Sequence, residues 1–230
     1  MLKANAMKLF MKMPPKPHAR LKHALIRLKS HNRGIAAIEF AMVLPLMVLT
    51  YVGVGEISEL LLSDRKVVTL ARSLSDLTAQ LKTAADADIS TIFSVAAPIM
   101  TPFSSSTVKM SISSVMFNTN AATPTVPTAL VGWTAVSQGG TARSCTVPLT
   151  VVPNNTKADV TNIPSGVAVA GTTVIVADVA YPYVPMFGNN IVPGGAITIN
   201  QTTYMRPRNV TIIPYTGTAY TNCSANTFTG

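Results

Sequence analysis

An α+β protein is predicted by three features of this sequence: a long N-terminal helix, membrane-spanning in its first half, packed on an antiparallel sheet. A charge-poor apolar run begins abruptly at Gly34. A helical apolar spacing continues out of that run to about Lys82. After Pro102, Ser, Thr, Val, Asn, Pro and Gly dominate, and alternation replaces the helical period.

The membrane segment is argued from length and charge. Residues 35–55 carry one charged side chain, Glu39. Twenty-one helical residues span roughly 30 Å, the thickness of a bilayer core. Ahead of the run, residues 1–33 hold nine basic side chains and no acid, whereas the other nine basic residues are matched by nine acids. The net charge of +9 therefore sits wholly in the leader. By the positive-inside rule this places the N-terminus in the cytoplasm and the C-terminal part outside. A nucleic-acid-binding domain would carry its charge on the folded part, so no nucleic-acid partner is expected. A conventional secretory signal is the rival reading, but its apolar region is shorter and closes on a small-x-small cleavage site. Four regions follow: a basic leader (1–34), a transmembrane helix (35–55), a helical stalk (56–100) and a β-rich extracytoplasmic domain (101–230).

Past the span, Leu60, Val67, Leu70, Leu74, Leu77 and Leu81 recur at helical spacing and predict one stripe on a continuous helix from Ile35 to about Lys82. Arg72 and Asp76 stand four apart and read as an exposed pair. Pro45 and the Gly53/Gly55 pair are the expected kink points. A second helix is predicted from Asp86 to about Ala97, capped by Asp86 or Asp88 and ended by Pro98. Candidate strands are 107–118, 132–138, 172–182 and 196–205. Residues 148–165 read as a long polar surface connection, with a turn at Pro153-Asn154-Asn155.

The chemistry outside the membrane is sparse. All three histidines precede the span, which excludes Ser-His-Asp and Cys-His catalysis and most transition-metal sites from the outer domain. Asp159 and Asp178 are the only acids after residue 88, and a paired-carboxylate mechanism would need them to meet. No enzyme, cofactor or metal is expected. Trp133, Tyr181, Tyr183 and Tyr204 are the aromatic residues available to a carbohydrate platform, though such residues are more often part of a sheet's core. Cys145 and Cys223 form an even count in an oxidising compartment and predict one disulfide, the alternative being two separate thiols. Glu39 is the informative charge: a carboxylate in an apolar membrane segment either snorkels to the interface or pairs with a positive group.

The run Arg33-Gly34-Ile35-Ala36-Ala37-Ile38-Glu39-Phe40 resembles a prepilin-peptidase site, in which a basic leader ends in Gly and a Glu stands at the fifth position after the cut. The longer stretch through Pro45, Glu56 and Asp64-Arg65-Lys66 resembles the TadE/TadG-like proteins of the tight-adherence (Tad) pilus. Arg72, Asp76-Leu77 and Gln80 fit the same group, and so, more distantly, do Tyr204-Met205-Arg206-Pro207-Arg208 and the closing Cys223. The resemblance implies a pilin-like fold and a minor pilin or pseudopilin that takes part in assembly of an adhesion pilus. It implies cleavage between Gly34 and Ile35, with Glu39 as the assembly charge and Phe40 and Pro45 as flanking motif. Arg206 and Arg208 flank Pro207 just after a predicted strand, and both that pattern and the resemblance mark them. At least one is expected to pair with a carboxylate or a partner surface at the sheet's end, the alternative being solvated surface charge. The implied partners are a prepilin peptidase, other Tad pilins and pilus assembly proteins, and the bacterial inner membrane, with the outer domain periplasmic. The alternative within the same system is an uncleaved, single-pass assembly factor. A membrane-tethered exported enzyme or carbohydrate-binding module is the reading from another class.

Overall fold

A computed structural model describes residues 33–119, 126–186 and 195–228. The leader before Arg33 lies outside the described residues. Among the described residues, three helices, α1 (Arg33–Ala79), α2 (Asp86–Ser94) and α3 (Ala96–Met100), precede seven strands. The strands are β1 (Lys109–Asn118), β2 (Thr128–Ser137), β3 (Thr150–Val152), β4 (Asn162–Pro164), β5 (Thr172–Tyr183), β6 (Ile197–Met205) and β7 (Thr221–Asn222). This is an α+β fold with a long N-terminal helix and an antiparallel sheet. The chain forms two compact units, Met1–Gly55 and Glu56–Gly230, so residues 56–100 and 101–230 belong to one body.

In the first unit the described residues are one helix that continues through Pro45. It is long and apolar enough to cross a membrane. Residues 34–51 are all exposed.

In the second unit, Val67, Leu70 and Leu74 are fully buried, with Leu60 and Leu81 packed at the margins. Leu77 departs from the predicted stripe and stays exposed. The face that meets the sheet is completed by Ser63, Ala71, Ser75 and Thr78, small residues that give no apolar signal but allow close approach. Thr203 Oγ1 uses that approach, donating to the Ala71 carbonyl at 2.8 Å. The helix ends at Ala79, three residues earlier than expected. Its orphan carbonyls are met there by the Arg208 amide, which donates to Ala79 O at 2.9 Å, and by Asn209 Nδ2, which donates to Gln80 O at 2.6 Å. The expected Arg72–Asp76 pair is not formed. Asp76 instead accepts from Arg208 and from Gln80 Nε2.

The second helix breaks at Val95 rather than at Pro98, and Pro98 sits in the first turn of α3. A proline ring collides with the carbonyl four residues back, so the chain breaks a turn early and restarts with proline where no amide is needed. Asp88 accepts from the Ala85 amide at 3.2 Å and serves as the cap. Asp86 has another task, described below.

The five-stranded sheet runs β6-β5-β1-β2-β7, antiparallel throughout. Ile112 lies opposite Ala135 on one side and Ala177 on the other. Met110, Ile112, Trp133, Ile175 and Val179 face α1. The opposite face carries Val115, Phe117, Val131, Val174 and Val176. Residues 148–165, expected to be a solvent-facing connection, help to cover it. They hold the parallel pair β3–β4 and bury Leu149 and Ile163 against that second core. The apolar second face requires a cover, and this segment supplies it. The predicted turn at Pro153 is present, closed by the Thr156 amide on Pro153 O at 2.9 Å. The crossover out of β2 passes Gly140, where a Cβ would collide with the Met110 carbonyl oxygen.

Candidate functional site

The sequence motif lies at the start of α1. Gly34 and Ile35 are its second and third residues, and both are exposed. A Cβ added at Gly34 would meet nothing within 4 Å, so packing among the described residues gives no reason for glycine there. Ile35 and Glu39 are four apart on one helix and therefore share a face, about one turn apart. Glu39 is exposed and forms no ion pair among the described residues. Phe40 is exposed beside it, and Pro45 removes the amide that would have bonded the Ala41 carbonyl. The structure thus presents the motif as an uncovered helical surface with one carboxylate on it.

A second polar cluster stands at the start of the second unit. Glu56 Oε2 accepts from the Met186 amide at 3.3 Å and from the Tyr183 hydroxyl at 3.4 Å. Burial, reinforced by the charges of Glu56 and Glu59, pushes the Tyr183 phenol up to about 12. It stays neutral and remains a donor. Farther along, Lys66 Nζ donates to Ile99 O at 3.0 Å and holds the end of α3.

Arg206 and Arg208 part company. Arg208 pairs with Asp76 at the C-terminal end of α1, where a cation also complements the helix dipole. Arg206 is exposed and forms no ion pair among the described residues. Cys145 and Cys223 form a disulfide with Cα atoms 5.2 Å apart. It fastens the segment that covers the second face to the residue just after β7. Asn226 Nδ2 extends the clasp by donating to Val131 O at 2.7 Å and Cys145 O at 2.8 Å.

Sequence reasoning missed Arg143. Its guanidinium is wholly buried and forks onto Asp178, Nη2 to Oδ1 at 2.9 Å and Nε to Oδ2 at 3.1 Å. Nη1 donates to Val160 O and Asn162 O at 3.2 and 3.1 Å. Thr202 and Ser111 donate the remaining hydrogen bonds to Asp178. The only available signal was stoichiometric: Asp178 is one of two acids in this region and needed a cation. Asp159 and Asp178 line one groove of about 610 Å³, but Asp178 is committed to Arg143. Asp86, the alternative to Asp88 as the cap, accepts instead from the Tyr215 hydroxyl and from the amides of Thr218 and Ala219. The Tyr215 hydrogen bond, followed by the Thr218 amide, holds its carboxyl below the usual carboxylate range.

The aromatic residues make no sugar platform. Trp133, Tyr181 and Tyr183 are buried, and the Trp133 indole donates to Ile213 O at 2.8 Å. Tyr204 lies on the opposite face, packed against the second core. Among the described residues no group of three or more His, Cys, Asp or Glu comes together. Comparison with family models, with curated proteins and with solved structures finds no match to this chain.

Proposed function

We propose that this chain is a structural subunit of a Tad-type pilus assembly, a minor pilin or pseudopilin processed by a prepilin peptidase between Gly34 and Ile35. The observation that carries the reading is the contrast along α1. From Val67 onward one face of the helix is buried in its own domain, whereas residues 34–51 are exposed and have no cover among the described residues. An apolar helix without a cover of its own belongs in lipid, or among like helices. Transfer from the first to the second is the essence of pilin assembly as the resemblance implies it. The glycine with no packing reason is consistent with a backbone that must admit a protease closely. The leader holds all the excess basic charge, which orients the chain with the second unit in the periplasm. A reporter fused after Lys82 is accordingly active only outside the cytoplasm.

Glu39 supplies the specificity. In a low dielectric an unpaired carboxylate is costly, and a newly made α-amino group on a neighbouring Ile35 is a partner for it. The test is Glu39→Ala in cells carrying the other pilins. The variant inserts in the membrane at wild-type levels but co-isolates with those pilins at least about a hundred-fold less well, because breaking a buried ion pair by removing one partner costs about 3–5 kcal/mol. Unchanged co-isolation removes the assembly role of Glu39.

A further inference from the structure

We propose that the turn leaving β5, Val184–Met186, rests on the phospholipid surface from which α1 emerges, giving the outer domain a second membrane contact. The proposal shares with the proposed function the premise that residues 35–55 span a bilayer.

The turn's place in the fold comes first. The Met186 amide and the Tyr183 hydroxyl are both held by Glu56, the first residue of the second unit. Glu56 directly follows the last residue of the apolar span, so whatever Glu56 holds lies at the level where the helix leaves lipid. The other end of β5, at Thr172, is eleven residues away, roughly 36 Å at strand rise. The sheet therefore has one end beside Glu56 and one far from it.

The chemistry of that near end is the second observation. Val184 is 57% exposed and Met186 75%, while Pro185 between them is buried and fixes the turn. Ile197, which pairs with Tyr183 at the start of β6, is exposed as well. Val184, Met186 and Ile197 carry no charge, so these exposed side chains meet no electrostatic barrier to entering the headgroup and upper acyl region. Apolar side chains displayed at the height of an adjoining bilayer gain by burying themselves in it. Exposed valine and methionine facing water would gain nothing. Lipid is chosen over a second copy of the chain because covalent continuity guarantees its presence beside the turn.

The test uses the full chain reconstituted in phosphatidylcholine vesicles, with and without bromine on the upper acyl chain. Trp133 is the only native tryptophan and is buried in the core, so wild-type emission is a background to subtract. Three reporters are compared. Leu46→Trp lies within the span, Met186→Trp on the turn, and Val169→Trp beside the far end of β5. The expected result is a drop of about two-fold or more in Leu46→Trp and Met186→Trp emission on bromination, with Val169→Trp unchanged. Quenching of Leu46→Trp without quenching of Met186→Trp overturns the proposal and leaves the span intact. No quenching of Leu46→Trp overturns both. If Met186→Trp emission instead follows the protein-to-lipid ratio and ignores bromine, the turn meets a second copy, and the lipid proposal fails.

Discussion

One face of the sheet is covered mainly by the long helix α1, with α2 and α3 beside it, and the other by an irregular segment, residues 140–171, and the two covers are fastened in different ways. On the helix side the contact is apolar: Val67, Leu70 and Leu74 sit on Met110, Ile112 and Ile175 in one continuous core. On the other side the core is smaller, with Leu149 and Ile163 reaching down to Val115, Phe117 and Val174. That cover is clamped by a disulfide, a buried ion pair and side-chain amides. A helix presents a regular apolar face, and its directional bonds, from Thr203 and from Arg208 and Asn209, are added to a large core rather than made in place of one. A segment with two three-residue strands buries little surface per residue ordered, so directional bonds must offset the entropy of holding it.

Several substitutions should separate the two covers. The largest effect is expected on the helix side. Leu70→Ala with Leu74→Ala removes two fully buried side chains, at about 2–5 kcal/mol each. Chemical denaturation should show the second unit unfolding before other variants respond. Arg143→Ala comes next, at about 3–5 kcal/mol, because it leaves Asp178 without its cation in a covered site. Replacing both partners by apolar residues of similar size, Arg143→Met with Asp178→Leu, should recover most of that loss. If the double variant is as unstable as Arg143→Ala, the ion pair is not the fastening described.

A smaller effect concerns acid. The folded-state value of the Asp86 carboxyl is lowered from the ordinary 3.8. The ionised form therefore stabilises the fold above that value, and the contribution is lost as pH falls below it. Asp86 holds the Tyr215–Ala219 segment against the start of α2, so exchange of the Thr218 and Ala219 amides should quicken below about pH 4. In Asp86→Asn that step should vanish. The smallest effect is Tyr204→Phe. The Tyr204 hydroxyl is buried with no hydrogen-bond partner among the described residues, so its removal should be neutral or stabilising by about 1 kcal/mol.

The same contrast explains what was legible in the sequence. Apolar periodicity predicted α1 and the four long strands to within a few residues, because regular elements write their burial at periods of 3.6 and 2. The helix-facing role of Ser75 and Thr78 was invisible, since small polar residues carry no pattern. The second cover was read as a polar surface connection for a related reason. Its fastening depends on Arg143 meeting Asp178, residues 35 apart, and no local rule links them. The disulfide was legible because two cysteines leave one pairing. At the candidate site, the Gly34–Glu39 spacing was plain in the sequence, and the structure adds that both residues are exposed and unused in packing among the described residues. Arg208 was noticed for its motif, but its position at the end of α1 required the fold.

The processing of this chain is the central claim, and intact-mass analysis of the wild-type protein produced alongside a prepilin peptidase tests it most directly. The account predicts a product that begins at Ile35 and has lost all nine leader charges, with Gly34→Val remaining at full length. A wild-type species that still begins at Met1 would contradict the processed-pilin reading and leave the uncleaved assembly factor in its place.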